Sequence, residues 1–303
     1  MAASGNSQAA PENKSRQNAI LYLLVVIMWG GSWIAIKYQV GTVPPEYSVS
    51  YRFAIAAVLM FGWIFATGRR VRFEAVDYLR FAATALFMFS TNFLLFYYAS
   101  AYIVSGMLAL AFSMLSIFNL INGFIFRGER AGGQILLGAA LGVTGLAMIF
   151  LPGIGQTGFG SDPVRGFALA LAGAYCFSVG NVMSAGFPDR NIPVFSSNAY
   201  SMMFGSIIMF LFGMALGKIP VFDFSLSYVM PLLGLSVFAS AIVFGAYVTL
   251  LRNIGAARVG YATIVFPVIA LGISTIFEGF TWTMWGLAGL VIILIGNFIV
   301  MRR

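Results

Sequence analysis

Residues 20–38 read ILYLLVVIMWGGSWIAIKY. The run is apolar throughout its first half and long enough, as a helix, to cross about 30 Å of hydrocarbon. Two indoles and an ammonium then recur at Trp29, Trp33 and Lys37, four apart, so all three project from one helical face. Lipid gains little from two indoles in one stripe and penalises the cation. Gly30 and Gly31 lie between the indoles, with Ser32, and allow a neighbouring backbone or a ligand to come close. This face is therefore expected to look into a cavity inside a helical bundle. For Trp33 and Lys37 an alternative stands, because indoles and snorkelling lysines are ordinary at a membrane interface.

The remainder of the 303 residues has the same character: 60% are hydrophobic, 9% are charged, and the mean hydropathy is +0.93. A soluble domain carries about 25% charged residues. Apolar runs recur at 19–39, 47–67, 76–97, 104–126, 132–151, 164–185, 195–217, 226–251, 258–277 and 282–301. Continuous runs of this length predict an all-α polytopic membrane protein; a β-barrel would alternate in short segments. The third and fourth runs join through residues 99–103 without a strong breaker, so nine spans compete with ten. Residues 1–18 are polar, with Pro11, Glu12, Lys14 and Arg16, and are expected to form a disordered tail rather than a signal peptide. Cys176 has no partner for a disulfide, and there is no histidine, the commonest acid–base group near neutral pH.

Charge separates the two counts. With ten spans, the tail's side of the membrane receives Arg69, Arg70, Arg72, Arg127, Arg190 and Arg252 among others. The opposite side receives Arg165 and Lys218, with Lys37 and Arg52 near it inside spans. That bias follows the positive-inside rule, places both termini in the cytoplasm, and explains the net charge of +8 without nucleic acid. The two halves also echo each other. Gly138 and Gly145 match Gly289 and Gly296, Glu129 matches Glu278, and Pro44-Pro45 matches Pro193. All are offset by about 150 residues. Residues 19–151 and 164–301 then form two repeats of five spans, and an odd number inverts the second relative to the first. Inverted repeats around a central cavity are the architecture of many secondary transporters.

Several of these residues resemble the drug/metabolite transporter superfamily, in its ten-helix EamA-like branch. They are Trp29-Gly30 with Lys37, Pro44-Pro45, Arg52-Phe53, and the turn Phe126-Arg127-Gly128-Glu129-Arg130. Pro267 and Glu278, followed by Gly286 and Gly289, are similar to that family's second-half counterpart. Ser113-Met114 stands where the family commonly has a proline, which leaves a hinge there unsupported. Within the branch the chain looks most like the YddG-type exporters of aromatic and other neutral amino acids. The resemblance implies an inner basket of helices one to four and six to nine, with five and ten at the periphery.

Polar residues within spans are costly unless they face protein or water. Neutral hydrogen-bonders dominate here, and they suit a zwitterion or, alternatively, join helices. Asn92 and Asn181 stand out, because a buried amide offers four hydrogen-bonding positions that lipid cannot meet. Trp29, Trp33, Tyr98, Tyr175 and Tyr247 are the rings expected near substrate, with Ser32 and Lys37 beside them. Arg52 either attracts a carboxylate or pairs structurally with Glu46 or Glu278. Gly30, Gly31, Gly106, Gly180 and Pro267 are candidate hinges, or static kinks.

Span interiors carry no Asp or Glu, so a facilitative carrier without proton coupling is expected. A membrane enzyme would need paired mid-span carboxylates or a His/metal cluster, and neither is present. No cofactor or metal is implied. A nucleotide sugar would want several cavity cations and a drug-like cation would want a buried Glu. A channel is the remaining alternative. The expected partners are an amino acid substrate and the lipid bilayer, in a monomer, at the bacterial inner membrane.

Overall fold

A computed structural model describes residues 11–128, 133–157, 162–187, 190–254 and 262–301. Helices dominate, and no strand occurs among the described residues. In hydrocarbon a helix satisfies its own backbone, which a lone strand cannot do. The helices are α1 Pro11–Lys37, α2 Pro45–Ala66, α3 Ala75–Ala99, α4 Ser105–Arg127 and α5 Gly133–Thr157. After these come α6 Asp162–Ser184, α7 Val194–Ala215, α8 over 226–254, α9 Ala262–Phe277 and α10 Met284–Met301. Seven segments are long and apolar enough to cross a membrane, and shorter apolar stretches lie at Leu136–Ile149, Val265–Phe277 and Met284–Ile299. The chain is a multi-pass membrane protein.

The expected ranges fall on these helices, with two refinements. Residues 11–18, expected in a disordered tail, are the first turns of α1. Proline is tolerated in a first helical turn, and nothing after it breaks the helix. Residues 1–10, Glu129, Arg258 and Tyr261 lie outside the described residues. Between α3 and α4 the chain turns at residues 100–103, and Val104 is extended (φ −69°, ψ 156°), so these are separate helices.

Hydrophobic burial does not drive helices together in lipid; close packing and interhelical hydrogen bonds do. Glycines supply the close approaches. A Cβ on Gly145 of α5 would lie 2.5 Å from the Gly289 carbonyl oxygen of α10, and one on Gly296 would lie 2.7 Å from that of Gly138. The glycines that mark the two halves in the sequence thus face one another. Gly30, Gly106 and Gly180, considered as hinges, are also packing positions in unbroken helix: their added Cβ atoms would meet Ile269, Leu271 and Met88 at 3.0, 2.7 and 2.6 Å. Gly31 has Ile273 at an ordinary 3.7 Å, and Pro267 lies buried inside continuous α9.

The helical irregularities lie elsewhere. α3 is π-helical over Leu86–Thr91 and α8 over Gly234–Ile242. α4 breaks into Ser105–Ser113 and Leu115–Arg127 at Met114, where the Ser113 hydroxyl donates to the Leu110 carbonyl at 2.7 Å. A serine bonded back onto its own helix bends it without proline.

Candidate functional site: a cavity closed at one end

Helices α1–α4 and α6–α9 surround a cavity of about 520 Å³; among the described residues none of its lining comes from α5 or α10. That is within the roughly 300–1,000 Å³ usual for small-molecule sites. The rings of Trp33, Phe96, Phe112 and Phe177 form a continuous wall, with successive centroids 5.0, 5.9 and 5.2 Å apart. On the other side Trp29 packs against Tyr247 and Phe266 at 5.2 and 5.6 Å.

Both π-helical stretches face this space, Met88 and Phe89 from one and Ala239 and Ser240 from the other. π-bulges often mark functional sites, because the wider turn re-aims backbone groups. Here the Trp29 Nε1–H donates to the Ala239 carbonyl at 2.9 Å. The Ser240 hydroxyl oxygen accepts from Arg52 Nε at 3.3 Å.

Amides make up the polar part. Asn92 Nδ2 donates to the Gly173 carbonyl at 2.8 Å, while its Oδ1 has no partner. Asn181 Nδ2 reaches Asn119 Oδ1 at 3.4 Å. The lining holds no Asp, Glu or Lys among the described residues; its one permanent charge is Arg52, which is only 4% exposed.

Of the residues expected around a substrate, the structure brings together Trp29, Ser32, Trp33, Asn92, Asn181 and Tyr247. Three lie elsewhere. Lys37 is one helical turn beyond Trp33, about 6 Å along the axis, and pairs with Glu278 at 3.0 Å. Tyr98 donates to Glu46 at that same end of the bundle. Tyr175 is 39% exposed and packs edge-on against Phe118. It is two positions from the cavity residue Phe177, about 200° around the helix. Arg52 is also corrected: it pairs with neither Glu46, which bonds Lys218, nor Glu278. Of the two roles considered for Arg52 the carboxylate-facing one is left open by its place in the lining, and the phenylalanines that line the cavity were not singled out. The spacing of Phe89, Phe93 and Phe96, on one helical face with Asn92, was the available signal.

The end carrying Lys37 and Glu46 is closed. The Glu278 carboxylate accepts from the Ser105 backbone N–H at 2.9 Å, the Ser105 hydroxyl at 2.5 Å and the Ser274 hydroxyl at 2.6 Å, besides Lys37. Burial pushes this carboxyl up, but the bonds from Ser105, Ser274 and Lys37 outweigh it and hold it below its ordinary value. Glu46, fully buried, takes two of the hydrogen bonds of Lys218, at 2.8 and 2.9 Å. Gln39, Tyr97 and Ser100 are buried around these pairs. Toward the opposite end the lining continues to Ser184, Phe187 and Val194, and Val194 is 44% exposed.

The EamA-like transporter family profile matches this chain twice, over residues 17–151 and 164–302. The chain belongs to the EamA-like transporter family. That places it among transporters rather than enzymes. Similar curated proteins include PagO of Salmonella typhimurium, 24% identical over 93% of this chain and 91% of that protein. A probable amino-acid metabolite efflux pump of Escherichia coli is 26% identical over 94% and 95%. An uncharacterised transporter of Archaeoglobus fulgidus is 26% identical over 94% and 98%. A solved crystal structure shares the fold, with a TM-score of 0.66 at 17% identity over 94% of this chain and 96% of the other.

Proposed function

We propose that this family member is a ten-span carrier exporting neutral and aromatic amino acids, or related small metabolites, by alternating access. The observation that carries the reading is the cavity itself. It is lined by rings and amides, closed at one end by buried ion pairs and extended to the other. Flat rings give broad apolar contact to varied side chains, and amides meet both ends of a zwitterion. The efflux pumps among its relatives support export.

Two inverted repeats, at 19–151 and 164–301, fit the double family match, the facing glycines and the π-helical stretches offset by about 150 residues. The positive-inside rule, applied to Arg69, Arg70 and Arg190, supports an orientation with the open end and both termini in the cytoplasm of a bacterial inner membrane. The captured state is then inward-facing. A closed end argues against a continuous channel, and a cationic lining disfavours a drug-like cation. Both repeats lie in one chain, so a monomer suffices. Transport is facilitative, because no cavity carboxylate among the described residues is free to carry a proton.

Purified protein in liposomes tests this. Labelled phenylalanine should show saturable counterflow, inhibited by other neutral amino acids and not by nucleosides or organic cations. Flux without saturation, or competition from cations alone, would sink the reading. Efflux accelerated several-fold by an imposed pH gradient would overturn its facilitative part.

A further inference from the structure

Arg52 is a buried charge only partly compensated among the described residues. Its guanidinium sits on α2 seven residues inside the start of the helix, 4% exposed, with no ion-pair partner among the described residues. Nε donates to Ser240, and Nη1 has no hydrogen-bond partner. The faces of Phe93 and Phe53 lie over it at 4.4 and 5.2 Å. Ring faces attract a cation, but they supply no acceptor for an N–H. The Tyr97 hydroxyl, which donates its proton to Gln39 Oε1 at 2.7 Å, offers the guanidinium an acceptor oxygen but no counter-charge. A charge buried in this way is costly unless something pairs with it.

The other unpartnered atoms of the cavity wall are oxygens. Asn92 Oδ1 is buried without a donor while its Nδ2 is engaged by Gly173, and Thr84 Oγ1 is buried without a partner. Asn92 and Phe93 both line the cavity from α3, so the orphan acceptor and the ring that covers the guanidinium belong to the same wall.

We propose that Arg52 is the carboxylate anchor of the transported molecule, and that Asn92 Oδ1 receives its ammonium group. Phe93, half-buried on the wall, moves aside to admit the carboxylate. One guanidinium fork matches a monoanionic carboxylate, whereas a phosphate would call for further cations that the lining lacks. The site is therefore specific for α-amino or simple carboxylic acids. The proposal rests on the carrier reading above and narrows its substrate class.

The test measures binding to the purified full chain in detergent by calorimetry. The probes are phenylalanine, its amide, and 3-phenylpropionate, which keeps the carboxylate and lacks the ammonium. The chains are the parent, Arg52→Gln, Arg52→Lys and Asn92→Leu. The parent should bind phenylalanine at least tenfold tighter than the amide. Arg52→Gln should erase that preference while Arg52→Lys keeps part of it. Asn92→Leu should weaken phenylalanine and leave 3-phenylpropionate unchanged. Melting temperatures check folding, and the acid-to-amide ratio is a readout that a merely structural arginine would not move. If the parent binds phenylalanine and its amide alike, or if Arg52→Gln keeps the preference, the anchor is wrong and the carrier reading stands. If only 3-phenylpropionate binds, through Arg52, the anchor stands and amino acid export does not. A parent that binds neither carboxylate overturns the anchor.

Discussion

The two ends of this bundle are tied by the same kind of bond in different surroundings. At the closed end Glu46 is fully buried and Glu278 nearly so, and each meets a lysine together with hydroxyl or backbone donors. At the other end Arg190 bridges Asp77 at 2.7 Å and Glu74 at 2.8 Å, but the Glu74 side chain is 71% exposed. There the rest is looser: Arg69 lies over the Phe195 ring at 4.2 Å, and Ser196 donates to the Arg70 carbonyl. Buried charge pairs cost heavily when broken, whereas exposed ones are worth little. The difference teaches that one end is held by buried pairs and the other by exposed ones, which is what the proposed carrier requires of a seal and a mouth.

Removing the seal should have the largest effect. Glu278→Ala strands the Ser105 N–H at the start of α4, and the Ser105 and Ser274 hydroxyls lose their acceptor. We expect a loss of about 3 kcal/mol, the lower end for a broken buried pair, because half-exposed Lys37 can rehydrate. A melting temperature equal to the parent's would show that the end is not sealed in this way.

Acid should act in the same direction and more weakly, since a protonated carboxyl still accepts hydrogen bonds. Glu278 is held below the ordinary carboxylate value of 4.5. Its contribution is therefore complete above that value and is lost as pH falls through the lower folded value. The stability gap between parent and Glu278→Ala should stay flat through neutral pH and narrow only in acid. A gap that closes near neutrality would contradict the depressed titration.

Arg190→Ala at the mouth should cost least, clearly less than Glu278→Ala, because only the Asp77 side of the bridge is buried. Thermal melts compare it directly with Glu278→Ala. If Arg190→Ala proves the more damaging, the assignment of seal and mouth is reversed.

Much of the scaffold was legible because lipid imposes a simple rule: every crossing segment must be apolar and helical. The runs at 47–67 and 195–217, for example, lie almost residue for residue on α2 and α7. The site was legible in part. Trp29, Trp33, Asn92, Asn181 and Tyr247 line the cavity, because polar or large amphipathic groups within a span have few other places to go. Lys37 and Tyr98 were misplaced because depth along a helix decides whether a side chain reaches a cavity or its seal. Glu46 and Glu278, considered as partners of Arg52, pair instead with Lys218 and Lys37, since burial at a helix end depends on which helix stands beside it.

Composition and periodicity were therefore enough for the class and the approximate spans, because those follow from solvent and chain length alone. Which glycines pack, where α3 and α8 widen into π-helix, and that Arg52 finds no carboxylate were decided only when the helices came together. Contacts between residues far apart in the chain leave no periodic trace in it, so three-dimensional packing alone assigns each charge its partner.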